Sequence, residues 1–441
     1  MSRLYWFYAI GSIGSGLFAT LPGVLLLYYL TDTIMLPALL AAIILLSPKI
    51  LGIIIDPVVG QVSDRMQTRY GRRLPFLLAG SIGMAISFLA LFHMPDAGSV
   101  GLNFTYALIA YFLTSLFYGL FAVPYIAMPS EFAVSEELRT RIIALRMLFV
   151  FVGTIMGAAL PSLLVSYFGG GRSGYGTMSL VIVAMSLPAM LIATFVAPKL
   201  EAPQQRIAQS FPTVGNLAAP LKISGFRRLL GTYMLLMVAG TAFTSALPYL
   251  VVHRLELPES DVGLLLLAAL TVAIVTAPLW PRICERFGMH SALLGAIAFS
   301  IAGNGALLFT PQGSSMTRIL AAMIIIGVGT AGTQVLPFAL LARHISTVSA
   351  NGNSGSEAAV TGVWTGAEKL ALATGPALTA IMLWFVGFSE DTVSKQSPES
   401  LFGIQLAVGV TPIIMLVIAV LTLRATNNAE PNLTEKNGNL S

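Results

Sequence analysis

Apolar residues run through the chain in long blocks separated by short polar patches, and twelve of these blocks are long enough to be membrane spans. A helix that crosses the hydrocarbon core needs about 20 mostly apolar residues. The pattern predicts spans at 5–29, 36–59, 74–94, 104–128, 142–167, 178–197, 228–252, 262–280, 291–310, 318–342, 358–387 and 403–424. The first block is long and glycine-rich, without a basic stretch and a small-residue cleavage site, so it is kept as a span rather than a cleaved signal. The longest internal connection, 198–227, holds Pro203, Pro212 and Pro220 and falls near the midpoint. The expected organisation is a six-span bundle over 1–197, a central loop over 198–227, a second bundle over 228–424 and a polar, disordered tail over 425–441.

Composition narrows the class. Hydrophobic residues make up 56% of the 441 and charged residues only 10%, whereas a soluble domain carries about 25% charged residues. That excludes a soluble enzyme, a disordered scaffold and a disulfide-rich module, and the single cysteine, Cys284, leaves no intrachain disulfide to form. With the N-terminus and the even loops on one side, 17 of the 24 Lys and Arg fall there. Four (Arg172, Arg254, Arg318 and Lys395) fall opposite, and Lys49, Arg146 and Lys369 lie inside spans. The skew predicts both termini in the cytoplasm, in a plasma or inner membrane. The net charge of +5 is thus a topology signal, and the bilayer rather than a nucleic acid or an obligate protein is the expected partner.

The two halves carry a repeat. DPVVGQVSDRMQTRYGRR (56–73) follows the second span and APLWPRICERFGMH (277–290) the eighth. Aligning Asp64-Arg65 with Glu285-Arg286 sets Asp56-Pro57 on Ala277-Pro278. Parallel repeats of six helices mark the major facilitator architecture, an all-α membrane fold of 12 transmembrane helices. Asp64, Arg65, Gly71, Arg72 and Arg73 form the cluster that this superfamily places between its second and third helices. An acid there can bond neighbouring helix ends and the arginines can latch the bundles; the competing reading is a plain positive-inside anchor.

The motif DPVVGQVSDRMQTRYGRRLPFLLAG resembles the signature of the glycoside–pentoside–hexuronide:cation symporters, the melibiose transporter family. So do VPYIAMPSEF with RTRIIALRMLFVFVG, and VLPFAL followed by GVWTGAEKLALATGPAL, in order over most of the chain. The resemblance implies that Asp56 helps bind the coupling cation, that Arg146 is linked to substrate, and that Lys369 lies near both sites. It also matches Lys49 to the family's basic residue seven positions before the Asp-Pro acid.

The residues point the same way on their own. An ionisable side chain inside a span costs about 2.5–3.5 kcal/mol on insertion scales and is a functional hypothesis by default. The repeat mate of Asp56 is Ala277, so folding does not require a carboxylate at this helix position. Lys369 needs an anionic partner, for which Asp56 and the adjacent Glu368 are the candidates. Lys49 and Asp56 share one helix face but stand roughly 10 Å apart along the axis, too far to pair directly. Lys49 as a packing counter-ion, Arg146 as a snorkelling surface cation, and Tyr125 and Trp364 as packing rather than cavity residues remain the bland alternatives.

Departures from the family bear on coupling and substrate. The family's second sodium-binding carboxylate, one turn before the Asp-Pro acid, is Gly52 here, and the nearby amide position is Ile55. One carboxylate suits a proton better than sodium, so proton coupling is favoured, with sodium or uniport as alternatives. The family's sugar-gripping acids are matched by Gly16 and Ala122, and Arg343 and His344 replace an acidic pair. Tyr125 and Trp364 with Lys49, Arg146 and Lys369 would then suit an anionic sugar or another small organic anion. His93, His253, His290 and His344 are scattered, and no HExxH, CxxC, nucleophile elbow or phosphate loop occurs, so neither an enzyme nor a bound cofactor is expected. The expectation is cation-coupled symport of a sugar, glycoside or sugar acid by alternating access. A lysolipid carrier, an exporter and a uniporter are the rivals.

Overall fold

The computed structural model describes residues 2–66, 68, 72–95, 98–132, 134–200, 219–311, 314–350, 357–389 and 396–427. Most of the expected central loop (201–218) and of the tail (428–441) lies outside them. The described residues contain no strand. The helices are α1 (Arg3–Ala9), α2 (Ser12–Leu21), α3 (Ala38–Arg65), α4 (Leu74–Phe92), α5 (Val100–Ala127), α6 (Glu136–Tyr167) and α7 (Gly171–Val196). They continue as α8 (Ser224–Tyr249), α9 (Ser260–Thr276), α10 (Leu279–Phe287), α11 (Met289–Leu308), α12 (Met316–Ala350), α13 (Glu357–Phe385) and α14 (Pro398–Asn427). Wide π turns prolong α2 over Pro22–Leu26 and Tyr29–Thr33, and α8 over Leu250–Arg254.

Among the described residues ten helical stretches are long and apolar enough to cross a membrane, and eleven if α9 and α10 form one bent span. Helix is what a lipid-immersed chain must adopt, because no water is present to satisfy a free backbone amide. The block expected at 262–280 does not run straight: α9 ends at Thr276 and the chain bends by 52° into α10. Pro278 stands at the break and offers no amide to continue the ladder. The block expected at 358–387 becomes α13, which carries Glu368 and Lys369 in its interior and is not among the ten.

The chain forms two compact units. The first comprises residues 1–207, 244–267 and 376–404, and the second 208–243, 268–375 and 405–441. Within the first, α4 packs on α5 and α7, α2 on α6, and α3 on α5; within the second, α11 packs on α12. The α2–α6 seam is made by glycine. A Cβ at Gly16 would run into the Val150 carbonyl, one at Gly153 into that of Ile13, and one at Gly157 into that of Leu17. Small residues let two backbones touch where lipid offers no hydrophobic drive for association. Buried hydroxyls return to the carbonyl one turn back: Ser81 to Leu77 (2.6 Å), Thr114 to Ala110 (2.8 Å) and Ser186 to Ile182 (2.7 Å). Each polar side chain is thereby satisfied inside its own helix.

Candidate functional site

Helix α3 carries Lys49 and Asp56 on one face and contains Pro48 and Pro57 without breaking. Asp56 is half-buried, and its carboxylate lies against α5 at Gly119, where a Cβ would stand 2.7 Å from Oδ1. Only glycine leaves room for the acid there. Gly52, one turn before Asp56, faces open space, since an added Cβ would meet nothing within 4 Å. Lys49 is half-buried, and no carboxylate among the described residues pairs with it.

Arg146 of α6 is 7% exposed, so it does not snorkel. Its guanidinium carbon lies 4.6 Å from the ring centre of Tyr125 and 5.9 Å from that of Tyr8. The two tyrosines are locked reciprocally. The Tyr8 hydroxyl donates to the Tyr125 carbonyl (2.6 Å), and the Tyr125 hydroxyl donates to the Tyr8 carbonyl (2.6 Å), with Ser12 Oγ at 3.1 Å. The π faces hold the cation, but Nε has no hydrogen-bond partner and no carboxylate among the described residues pairs with the side chain. Tyr125, fully buried, thus both packs α1 against α5 and cradles Arg146.

In the second unit Trp364 of α13 is 1% exposed and stacks on Tyr233 of α8, with ring centres 4.2 Å apart and planes at 17°. Phe338 of α12 stands 5.9 Å away. The indole Nε1 and the Tyr233 hydroxyl are buried without a hydrogen bond of good geometry, although Tyr233 faces Glu368 one turn along α13 from Trp364. Glu368 and Lys369 are both half-buried. The expected latch residues meet within the first unit. Arg73 binds Asp64 Oδ1 at 3.0 Å and donates to the Pro124 carbonyl at 2.6 Å, while Arg72 reaches the Asp64 carbonyl at 3.4 Å. They tie the end of α3 to the start of α4 and the end of α5. The side chains of Arg65, Arg343 and His344, and Gly71 as a whole, lie outside the described residues.

One cluster was missed by the sequence reading. At the far end of the first span from Arg3, Asp32 pairs with His253 Nε2 at 2.7 Å. Tyr28 and Tyr249 meet edge to face at 5.1 Å, Thr31 hydrogen-bonds Tyr249, and Phe388 packs on both Tyr249 and His253. The Tyr175 hydroxyl donates to Glu259 Oε1 at 2.6 Å. Burial pushes the Glu259 carboxyl up to about 7; the bond from Tyr175 opposes this and the charge of Asp32 adds to it. All of these residues belong to the first unit. The available signal was the repeat: the 221-residue offset that sets Asp64 on Glu285 also sets YYLTDTIMLP (28–37) on YLVVHRLELP (249–258).

Comparison with known proteins gives concordant matches. The profile of the family described as MFS/sugar transport protein matches residues 7–427. The uncharacterized symporter YnaJ of Bacillus subtilis is 25% identical over 95% of this chain and 90% of its own length. The glucuronide carrier protein homolog of Escherichia coli is 23% identical over 93% and 89%. The sphingosine-1-phosphate transporter MFSD2B of Mus musculus is 24% identical over 94% and 87%. Among solved structures, a D-xylose-proton symporter superposes with a TM-score of 0.69 at 14% identity, covering 98% of both chains. A bacterial homologue of the iron transporter ferroportin, in an inward-facing state, gives 0.68 at 16% identity over 97% of this chain and 99% of its own.

Proposed function

The chain belongs to the MFS/sugar transport protein family, multi-pass secondary transporters of the major facilitator fold, and from that premise we propose that it carries a small hydrophilic anion, a sugar acid or related glycoside, together with a proton. The observation that carries the reading is Arg146: a buried guanidinium held by two aromatic faces, with no carboxylate among the described residues to neutralise it. A buried charge left unpaired is expensive. A carrier whose cycle exposes that charge in turn to each side offers it to an anionic solute. Lys49 adds a second positive charge in the same unit.

Coupling falls to Asp56. One carboxylate against a glycine, with Gly52 empty where a second acid would sit, provides a proton site and few of the oxygens that sodium wants. Lys369, beside Glu368, is its proposed switchable counter-charge. Twelve spans with both termini cytoplasmic, in the plasma or inner membrane, rock as 1–197 against 228–424 by alternating access, and the protein performs no catalysis and needs no cofactor. The likeness to a sphingosine-1-phosphate transporter supports a second reading, a lipid phosphate on the same cations. The test is uptake into reconstituted vesicles of a panel of neutral sugars, sugar acids and lysolipid phosphates, with pH and sodium gradients imposed separately. Proton-driven uptake of a sugar acid is the expected result; sodium-driven, pH-indifferent uptake, or a preference for neutral sugars, overturns it.

A further inference from the structure

The cluster missed in the sequence is built from two copies of one local structure. In the first copy the Ile34 amide bonds the Tyr29 carbonyl (3.0 Å), the Leu36 amide bonds that of Leu30 (2.9 Å), and Met35 takes a φ of 60°. In the second the Leu255 amide bonds the Leu250 carbonyl (2.9 Å), the Leu257 amide bonds that of Val251 (3.0 Å), and Glu256 takes a φ of 56°. A left-handed residue other than glycine is strained and persists only where its surroundings impose it. Here the same strain recurs 221 residues apart. The contacts join equivalent positions: Tyr28 meets Tyr249, and Asp32 meets His253. The ends of the first span and of α8 thus close on each other about a local two-fold axis, and Phe388 and the Tyr175–Glu259 bond seal the sides.

The seal is charged as well as aromatic. Around Glu259 stand Tyr175 of α7, Asp32 and Tyr28 from the first span, and His253, Arg254 and Glu256 on its own segment; Arg172 at the start of α7 acts on Tyr29. Asp32 pairs with the His253 imidazole and its charge acts on Glu259 in a half-buried site, and Tyr28 hydrogen-bonds Asp32. Like charges in such a space favour retention of a proton by one of them.

We propose that Asp32, His253 and Glu259 form a second proton-binding site, distinct from Asp56, whose occupancy holds the end of the molecule opposite Arg3 shut. While that end is closed, Glu259 is half-buried and holds its proton up to about pH 7. When it opens, Glu259 is hydrated, its affinity falls towards that of an ordinary carboxylate, and the proton leaves. The closed state therefore binds more protons over the window from about pH 4.3, the ordinary glutamate value, to about pH 7. Acidification through that window favours closure, and alkalinisation above it favours opening. The linkage limits the change in the closed-to-open ratio to roughly 10²–10³-fold. The site goes beyond the coupling reading and stands without it.

The experiment uses the full chain in lipid nanodiscs, in a Cys284→Ser background, with spin labels at Tyr167→Cys and Phe385→Cys, both highly exposed and at the ends of α6 and α13. The inter-label distance is measured from pH 5 to pH 9. The expected result is a short distance at pH 5 and a growing long-distance population above about pH 7. Glu259→Gln, a neutral isostere, should stay short throughout. Tyr175→Phe removes the bond that favours the charged carboxylate and should move the midpoint to higher pH. The response should survive in Asp56→Asn, whatever that change does to uptake, which separates this proposal from the coupling reading. A wild-type distance that ignores pH, or a Glu259→Gln that follows the wild-type profile, overturns it.

Discussion

Asp56 and Arg146 occupy opposite electrostatic predicaments, and each yields a measurement. If Asp56 is the group that couples, Asp56→Asn should bind solute and support exchange across vesicles while losing uptake against a gradient. Retained concentration of solute by that variant ends the assignment. Arg146 is a buried cation without an acid among the described residues, so folding gains little from its charge. Arg146→Gln should raise KM for an anionic solute at least tenfold, a loss of about 1.4 kcal/mol, without lowering the thermal midpoint. A fall of several degrees with KM unchanged would make Arg146 a structural residue instead. That these side chains are the candidates for chemistry was readable beforehand, because an ionisable group inside an apolar block is rare enough to stand out. That Arg146 turns inward beneath Tyr8 and Tyr125 was not, because its position near the start of a span also allows the long side chain to reach water.

The helices follow from a length requirement, which is why nearly every expected block became one: a stretch of apolar residues too long for any other use has few alternatives to a span. Bends were harder to read, since proline is tolerated where neighbours satisfy the freed carbonyl. Pro48, Pro57, Pro124, Pro161 and Pro188 all sit inside unbroken helices, and the sharp break comes at Pro278. The glycine seam between α2 and α6 sets a prediction at this scale. Gly153→Leu must displace the α2 backbone and should cost about 1–3 kcal/mol or more by overpacking, seen as a lower thermal midpoint in detergent. Gly23→Leu, where a Cβ meets nothing within 4 Å, should not. Equal midpoints for the two variants would mean that the seam yields and does not fix the approach.

Over the whole chain, scarcity of charge made the membrane class and the candidate site legible together, while the cluster around Glu259 stayed hidden. Its members come from segments far apart in sequence and lie at span ends, where charged residues are unremarkable. Scarcity also offers a way to redirect coupling. Gly52→Asp places a second carboxylate one turn before Asp56 in space that is already open, and should make uptake respond to a sodium gradient; a variant still indifferent to sodium would show that one more acid does not complete the ion site. The local two-fold axis through the Asp32–His253 pair carries a different consequence. Because the two positions are equivalent in backbone, the charges they bear should be interchangeable. Asp32→His alone sets imidazole against imidazole, and His253→Asp alone sets carboxylate against carboxylate beside Glu259. Made together they restore the pair with its polarity reversed, and closure lost in either single variant should return in the double.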